Sequence, residues 1–399
     1  MTPPQTSSEP NTKPRNRAVH FGWVSLLQDL GSKMVVPILP LFLAIQLGAS
    51  AFVVGIVDGI GAVSAAAAAA IAGRWSTGNP VRWVRVGYGL SSAMKLALAF
   101  ATTWPAVLGI RVADRTGKGV RDAPRDLLLA EAPADRHGTT FGIQQAMDKT
   151  GGFLGPLVGL AAYELFNQSF DAVFFVAFIP CAASVALLWY IPAAPRPPES
   201  PATGQPSAET SQHERSPTQA QRRALAAILL HSLGFVSVSL LLLRGLDVNA
   251  SVAELLIGYA VLRLITAVAS YPIGRLVDGT SARRVTIAGM LVSAGAVGLI
   301  AIADSPTVVW LALGAVGLAD AMTRGPVKAW LLGLGPAATR GPVLGDRAAI
   351  TGVGALVSAV VVGAAWGSDG QAALLGAAVV AVCAAALAAS VRPSTAQTT

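Results

Sequence analysis

Apolar residues along this chain fall into runs of about twenty, separated by short polar stretches, with no strict alternation that would mark strands. A helix needs about 20 residues at a rise of about 1.5 Å each to cross a bilayer. On that measure the pattern predicts spans at 20–45, 52–72, 83–103, 105–130, 139–165 and 170–191. Six more are predicted at 224–244, 252–273, 285–303, 307–334, 343–366 and 371–391. The longest polar break, "APRPPESPATGQPSAETSQHERSPTQAQRR" at 194–223, is rich in Pro, Ser, Gln and Glu and has no apolar period. It reads as a disordered linker. The expected organisation is therefore a tail at 1–18, a six-helix bundle at 19–193, the linker at 194–223, a second six-helix bundle at 224–392 and a tail at 393–399. This is an all-α membrane protein of twelve transmembrane helices.

Composition agrees with a bilayer as the solvent. The chain is 53% hydrophobic and only 13% charged, with a mean hydropathy of +0.58, against roughly 25% charged in a soluble domain. The net charge of +8 raises the question of nucleic acid. The positions of the basic residues answer it differently. Lys13, Arg15 and Arg17 are in the tail, Arg74, Arg82 and Arg85 follow the second span, Arg196, Arg215, Arg222 and Arg223 are in the linker, and Arg275, Arg283 and Arg284 follow the eighth span. The alternate loops near 46–51, 167–169, 304–306 and 367–370 have no Lys or Arg. Such asymmetry places both termini and the linker in the cytoplasm, and points to the cytoplasmic (inner) membrane of a bacterium. No zinc-finger spacing or aromatic RNA platform supports a nucleic-acid partner. Cys181 and Cys383 fall inside apolar runs and read as core residues, so neither a disulfide nor a metal is expected. The first apolar run carries Asp29 and Lys33, which suit a retained helix better than a cleaved signal.

The halves repeat each other. "ASAFVVGIVDGIGAV" parallels "ASVAELLIGYAVLRL", and "ADRTGKG" in the fourth span parallels "ADAMTRG" in the tenth. Pseudo-symmetric halves of this kind place a substrate site between them near the membrane midplane. The charges within the spans are then informative. Measured inward from Pro105, Arg111 lies about 9 Å deep and Lys118 about 20 Å deep. A charge at the centre costs roughly 2.5–3.5 kcal/mol even on a lenient scale. Arg111, Asp114, Arg115 and Lys118 must therefore face protein or a water-filled cavity, whereas Arg121, Asp122, Arg125 and Asp126 read as an interfacial helix end. Asp114 and Lys118 are spaced to pair along one helix, as are Asp29 and Lys33. Asp58, Asp148, Lys149, Arg263, Asp320 and Arg324 lie at comparable depth. Arg263 has no acidic neighbour on its own helix, so it either pairs across helices or meets an anion. His231 reads as a satisfied polar residue.

Four passages resemble the major facilitator superfamily. "GRLVDGTSARRV" is similar to its cytoplasmic loop signature through Gly274, Asp278, Arg283 and Arg284. "AGRWSTGNPVRW" holds the equivalent first-half position, with Thr77 in place of the acidic residue. Arg111 stands where the family has a fourth-helix arginine, and "GGFLGPLVG" resembles the fifth-helix antiporter motif through Gly151, Gly155, Pro156 and Gly159. A narrower resemblance, to a bacterial group with RxxDRxGKGxRxxPRD in the fourth span, is carried by "RVADRTGKGVRDAPRD" at 111–126. That group usually has an acidic residue where this chain has Lys33, and an arginine where it has Gln145. The resemblance implies a latching role for the loop charges and an antiport role for the glycine motif. Without it, the glycines form a small-x-x-x-small packing face and Pro156 bends its helix.

The leading expectation is a proton-coupled antiporter exporting a small organic molecule by alternating access. Asp29, Asp114 or Asp148 would carry the proton, since desolvation favours a neutral carboxyl group, and Arg111, Arg263 and Arg324 would hold an anionic group. The alternative is an anion-specific exchanger or uptake symporter, favoured weakly because the span charges are seven basic (Lys33, Arg111, Arg115, Lys118, Lys149, Arg263, Arg324) against five acidic (Asp29, Asp58, Asp114, Asp148, Asp320). A membrane enzyme or an assembly partner without transport is the least supported reading, because no catalytic cluster or P-loop is visible. The expected partners are a small-molecule substrate, anionic on the alternative reading, protons and the lipid bilayer, with no cofactor and a monomeric protein.

Overall fold

The computed structural model describes residues 13–75, 80–130, 137–190, 216–336 and 339–391. The first part of the predicted N-terminal tail, most of the linker, the C-terminal tail and Thr77 lie outside the described residues. The helices are α1 (Lys13–Leu41, continued by a π-helical turn Phe42–Gln46), α2 (Ala51–Trp75), α3 (Pro80–Leu98), α4 (Trp104–Ala130), α5 (His137–Leu165) and α6 (Phe170–Trp189). They continue as α7 (Gln219–Leu233), α8 (Val238–Asp247), α9 (Val252–Gly279), α10 (Ala282–Ala301), α11 (Pro306–Arg324), α12 (Pro326–Leu332) and α13 (Arg340–Ser390). Twelve passages of the membrane result, in two bundles, because α7 with α8 and α11 with α12 each make one passage and α13 makes two.

Three of the spans are broken or cut short relative to the hydrophobic pattern, and α1 and α7 start earlier than predicted, at Lys13 and Gln219. The seventh span is broken between Gly234 and Ser237, where Ser237 caps α8 by accepting from the Leu240 amide. The tenth is broken at Gly325–Pro326, since proline cannot donate the next helical hydrogen bond. The third ends at Leu98, before its predicted end, and turns through 99–103. The predicted loop near 367–370 is a break at Asp369, whose backbone is extended and whose side chain accepts from the Ala372 amide, so α13 is two helical segments joined at that point.

By length and hydropathy, nine segments among the described residues qualify as membrane spans. The remaining three helices of this length, α3, α4 and α5, fall short on hydropathy or charge, and α3 and α4 bury Lys95, Arg111, Asp114 and Arg121. The repeat seen in the sequence is visible in the backbone. Gly48 (φ 61°) and Asn249 (φ 60°) both turn left-handed, and each is followed by Ala-Ser and the start of α2 or α9. Only glycine and a few polar residues reach that conformation at low cost.

The core is not symmetric across the membrane. Toward the loops at 46–51 and 248–251, one continuous apolar cluster joins both bundles. It includes Ile38, Leu41 and Phe42, Val57 of α2, Leu240 and Leu242 of α8, Leu255 of α9, Leu313 of α11 and Val362 of α13. At the opposite end the bundles have separate cores. One is built on Phe21, Val84, Tyr88, Leu128 and Leu188, the other on Ile228, Met290, Trp330, Leu331 and Ala388. The bundles thus share one core at one end and keep separate cores at the end where Lys13 and Ser390 lie. With cysteines 181 and 383 replaced by serine, a cysteine at Ser305 should react with an impermeant maleimide in sealed cells and one at Thr280 should not. The reverse pattern would invert the orientation inferred from the basic loops.

Candidate functional site

The fourth helix enters the first bundle because its glycines let it. A Cβ on Gly117 would lie 2.8 Å from the Gly87 carbonyl of α3, and one on Gly119 would meet the Ala65 carbonyl and Ala68 of α2. Gly61 of α2 in turn leaves room for Arg111 and Arg115. Seated between α2 and α3, α4 turns Arg111, Asp114, Arg115 and Lys118 inward, and with Asp29 and Lys33 they line a small cavity of about 20 Å³, the room of a single water.

Two kinds of charge share this interior. The first kind is locked. Asp114 accepts from Lys95 at 2.5 Å and from the Ser91 hydroxyl at 2.6 Å. Arg111 reaches Asp58 and Asp114, each at 3.6 Å. Two cations and two carboxylates therefore neutralise each other within α2, α3 and α4. Ser91 also accepts from Gln28 of α1 at 3.4 Å, and Gln28 accepts from Ser184 of α6 at 2.8 Å, so the network ties five helices together. The pairing expected along α4, Asp114 with Lys118, is not made; the closer partner is Lys95 on the neighbouring helix. The reading of Arg121 as interfacial is also corrected. It is 3% exposed, with its guanidinium 4.3 Å from the centre of the Tyr88 ring, because the α3–α4 crossing at Gly87 brings that ring beneath it. Arg125 and Asp126 do pair at the helix end, at 3.0 Å.

The second kind is free. Among the described residues no carboxylate lies within 4 Å of Lys33, Arg115, Lys118, Lys149 or Arg263, and no cation within 4 Å of Asp29 or Asp148. Asp29 is nonetheless within electrostatic reach of Lys33, Lys118 and Arg121, and Asp148 within reach of Asp29, Lys33 and Lys118. Arg263, on α9 of the second bundle, faces Gly152 of α5 and lies within electrostatic reach of Lys33 and Lys149, with its Nε buried and unpartnered. Gln145 is exposed on α5. Asp320 and Arg324 pair with each other at 2.9 Å on α11, beside a second cavity that includes His231.

The glycine motif of α5 lies against α1. Cβ atoms on Gly151, Gly155 and Gly159 would meet Leu26 and Leu30, Leu30 and Lys33, and Met34 respectively, so the small face seats α5 directly on α1. Pro156 lies within α5 without ending it. Of the loop charges, Arg283 donates to the carbonyls of Ala388 and Ala389, at the carbonyl end of α13 in its own bundle, where a cation is favourable. Asp278 and Arg284 are exposed, and Gly274 has open space around it.

Sequence reasoning missed Lys95, although a lone lysine within "SSAMKLALAF" was the available signal. It also missed Gln28, which carries no charge to attract notice.

The description "Major Facilitator Superfamily" matches residues 21–243, more than half of the chain. An uncharacterized MFS-type transporter of Methanocaldococcus jannaschii is 30% identical over 179 residues, 44% of this chain and 45% of that protein. An uncharacterized protein of Mycobacterium tuberculosis is 30% identical over 181 residues, 44% of each chain. The chain thus matches less than half the length of these curated relatives. Among solved structures, a mutant of the nucleoside transporter NupG superposes with a TM-score of 0.79 at 14% identity, covering 94% of this chain and 99% of that one. A bacterial homolog of the human lysosomal transporter Spinster, in an inward-facing and unoccupied conformation, gives 0.77 at 15% identity, covering 96% and 97%. A D-xylose-proton symporter gives 0.75 at 16% identity, covering 94% and 97%. At these identities the solved structures share the fold.

Proposed function

The chain belongs to the major facilitator superfamily, and from that membership we propose that it is a secondary active transporter of a small organic anion, moved together with protons by rocking of its two bundles. Arg263 carries this reading. A guanidinium does not deprotonate in a protein, and at this depth it requires an anion. No carboxylate of the described residues supplies one, and its neighbours across the bundle interface, Lys33 and Lys149, are cations too. A ligand anion fits that place and a cationic drug does not.

Coupling follows from the two free carboxylates. In the empty protein Asp29 and Asp148 offset part of the surrounding positive charge. An anion docked among the same lysines repels them unless they carry protons. Anion and proton therefore assist each other's binding, and assistance in binding is reciprocal. Such positive linkage suits cotransport in one direction. Antiport requires the two to compete, which suits a cationic substrate. The parted cores at the end that carries Lys13 and Ser390 match a bundle arrangement open on that side, cytoplasmic in the orientation inferred from the basic loops.

The test uses sealed proteoliposomes with a pH dye inside and a panel of short carboxylates as probes. An inward gradient of a transported anion should acidify the lumen. Asp29→Asn and Asp148→Asn should each reduce this proton movement while leaving anion exchange intact. Luminal alkalinisation during anion entry would mean exchange with protons and would overturn the cotransport reading.

A further inference from the structure

The second bundle has a cavity of its own, which the cationic cluster at Arg263 leaves unused. It has a volume of about 210 Å³ and lies among α7, α11 and the first part of α13, with His231, Asp320, Arg324, Arg347 and Thr351 in its wall. That is room for one polar head group and less than the roughly 300–1,000 Å³ of a pocket that encloses a whole drug-sized ligand. Its polar wall is incomplete. His231 Nδ1, Arg347 Nε and Thr351 Oγ1 are buried with no hydrogen-bond partner among the described residues. Buried polar groups are almost always paired, so three orphans around one cavity mark the outline of something that binds there. Charge says what kind of group it is. Asp320 is already engaged by Arg324 at 2.9 Å, and Arg347 lies within electrostatic reach of Arg324 with no carboxylate of its own. Two guanidiniums against one carboxylate leave a positive excess.

This cavity is not remote from the first cluster. Tyr259, one turn before Arg263 on α9 and 4% exposed, lies within electrostatic reach of Arg263 and Arg115 on the one hand and of Arg324 and Asp320 on the other. Tyr259 thus lies within electrostatic reach of two cationic poles, one mainly on the first bundle and one on the second.

We propose that the substrate is a small organic anion with two negative groups, one held by Lys33, Lys149 and Arg263 and the other by Arg324 and Arg347, with the Thr351 hydroxyl and His231 completing the second pole. The proposal rests on the anion reading above and specifies the substrate class for it. A monoanion would neutralise one pole and leave the other bare. A dianion bridges the bundles, so its binding depends on both.

The experiment measures affinity by calorimetry on the purified full chain, using linear dicarboxylates from succinate to adipate beside monocarboxylates from butyrate to hexanoate. Dicarboxylates of one preferred length should bind at least about tenfold more tightly than the matched monocarboxylate, the worth of one further charge-assisted contact. Arg347→Gln should remove most of that advantage, with a melting temperature near that of the wild type showing that the variant is folded. Thr351→Val should reduce the advantage in part. If both acid classes bind equally, and Arg347→Gln changes nothing while Arg263→Gln weakens both, the second pole is wrong and the single-anion reading stands. If neither class binds, the anion reading fails and the proposal fails with it.

Discussion

Asp114→Leu is expected to lower the stability of the protein by about 3–5 kcal/mol, because it leaves the Lys95 ammonium buried without its partner. Lys95 is 2% exposed, and its contacts are Asp114 at 2.5 Å and the Ser91 hydroxyl at 3.1 Å. A serine hydroxyl cannot replace a carboxylate as counter-charge. Arg111 suffers less, since it keeps Asp58. The double variant Lys95→Met/Asp114→Leu removes both charges and should recover most of the loss, as apolar replacement of a whole buried pair is often neutral or better. Thermal unfolding of Asp114→Leu, Lys95→Met and the double variant beside the wild type, in detergent, forms a double-mutant cycle. If Asp114→Leu melts with the wild type, the pair is not what holds α3 to α4. A strong recovery in the double variant without transport would separate stability from any part the pair takes in the cycle.

Gly155→Ala is expected to cost about 1–3 kcal/mol, the range for overpacking a filled interface. The added Cβ would lie 2.6 Å from the Leu30 carbonyl and 2.7 Å from the Lys33 Cβ, so the backbone of α1 has to move. Gly298→Ala on α10 is the control. Nothing lies within 4 Å of a Cβ there, and removing a helical glycine gains up to about 1 kcal/mol. Opposite shifts in melting temperature are therefore predicted for the same chemical change. Equal shifts would show that α1 and α5 are not in close contact at this turn.

Much of the fold was legible because bilayer thickness imposes one length on every span, and the chain obeys it nearly everywhere. The exceptions have local causes. Gly325–Pro326 is a break that proline enforces but that a hydropathy window averages away, and the break after Gly234 carries no proline to announce it. The candidate site was legible as a set of charges at forbidden depth. Its partnerships were not, since spacing along one helix can only propose partners on that helix. Asp114 had Lys118 at the right spacing and Lys95 one helix away, and the approach allowed by Gly87 and Gly117 decided for Lys95. Arg121 was misplaced for the same reason, because Tyr88 reaches it across that crossing. Arg263 was the opposite case. Its own helix offers no partner, and the rest of the described protein supplies none either.

The seating of α5 on α1 has a mechanical consequence. Backbones that touch at Gly151, Gly155 and Gly159 leave no layer of side chains between them to slide, so α1 and α5 travel as one plate. Lys33 and Asp29 ride on one face of that plate and Lys149 and Asp148 on the other helix of it, at a fixed separation throughout the stroke. Arg263 belongs to the opposing plate. If the bundles rock as proposed, the cargo's grip on Lys33 and Lys149 would persist and its grip on Arg263 would be the one released and remade. Substitutions on the plate should then show up in how tightly cargo is held, and substitutions at Arg263 in how often the stroke completes.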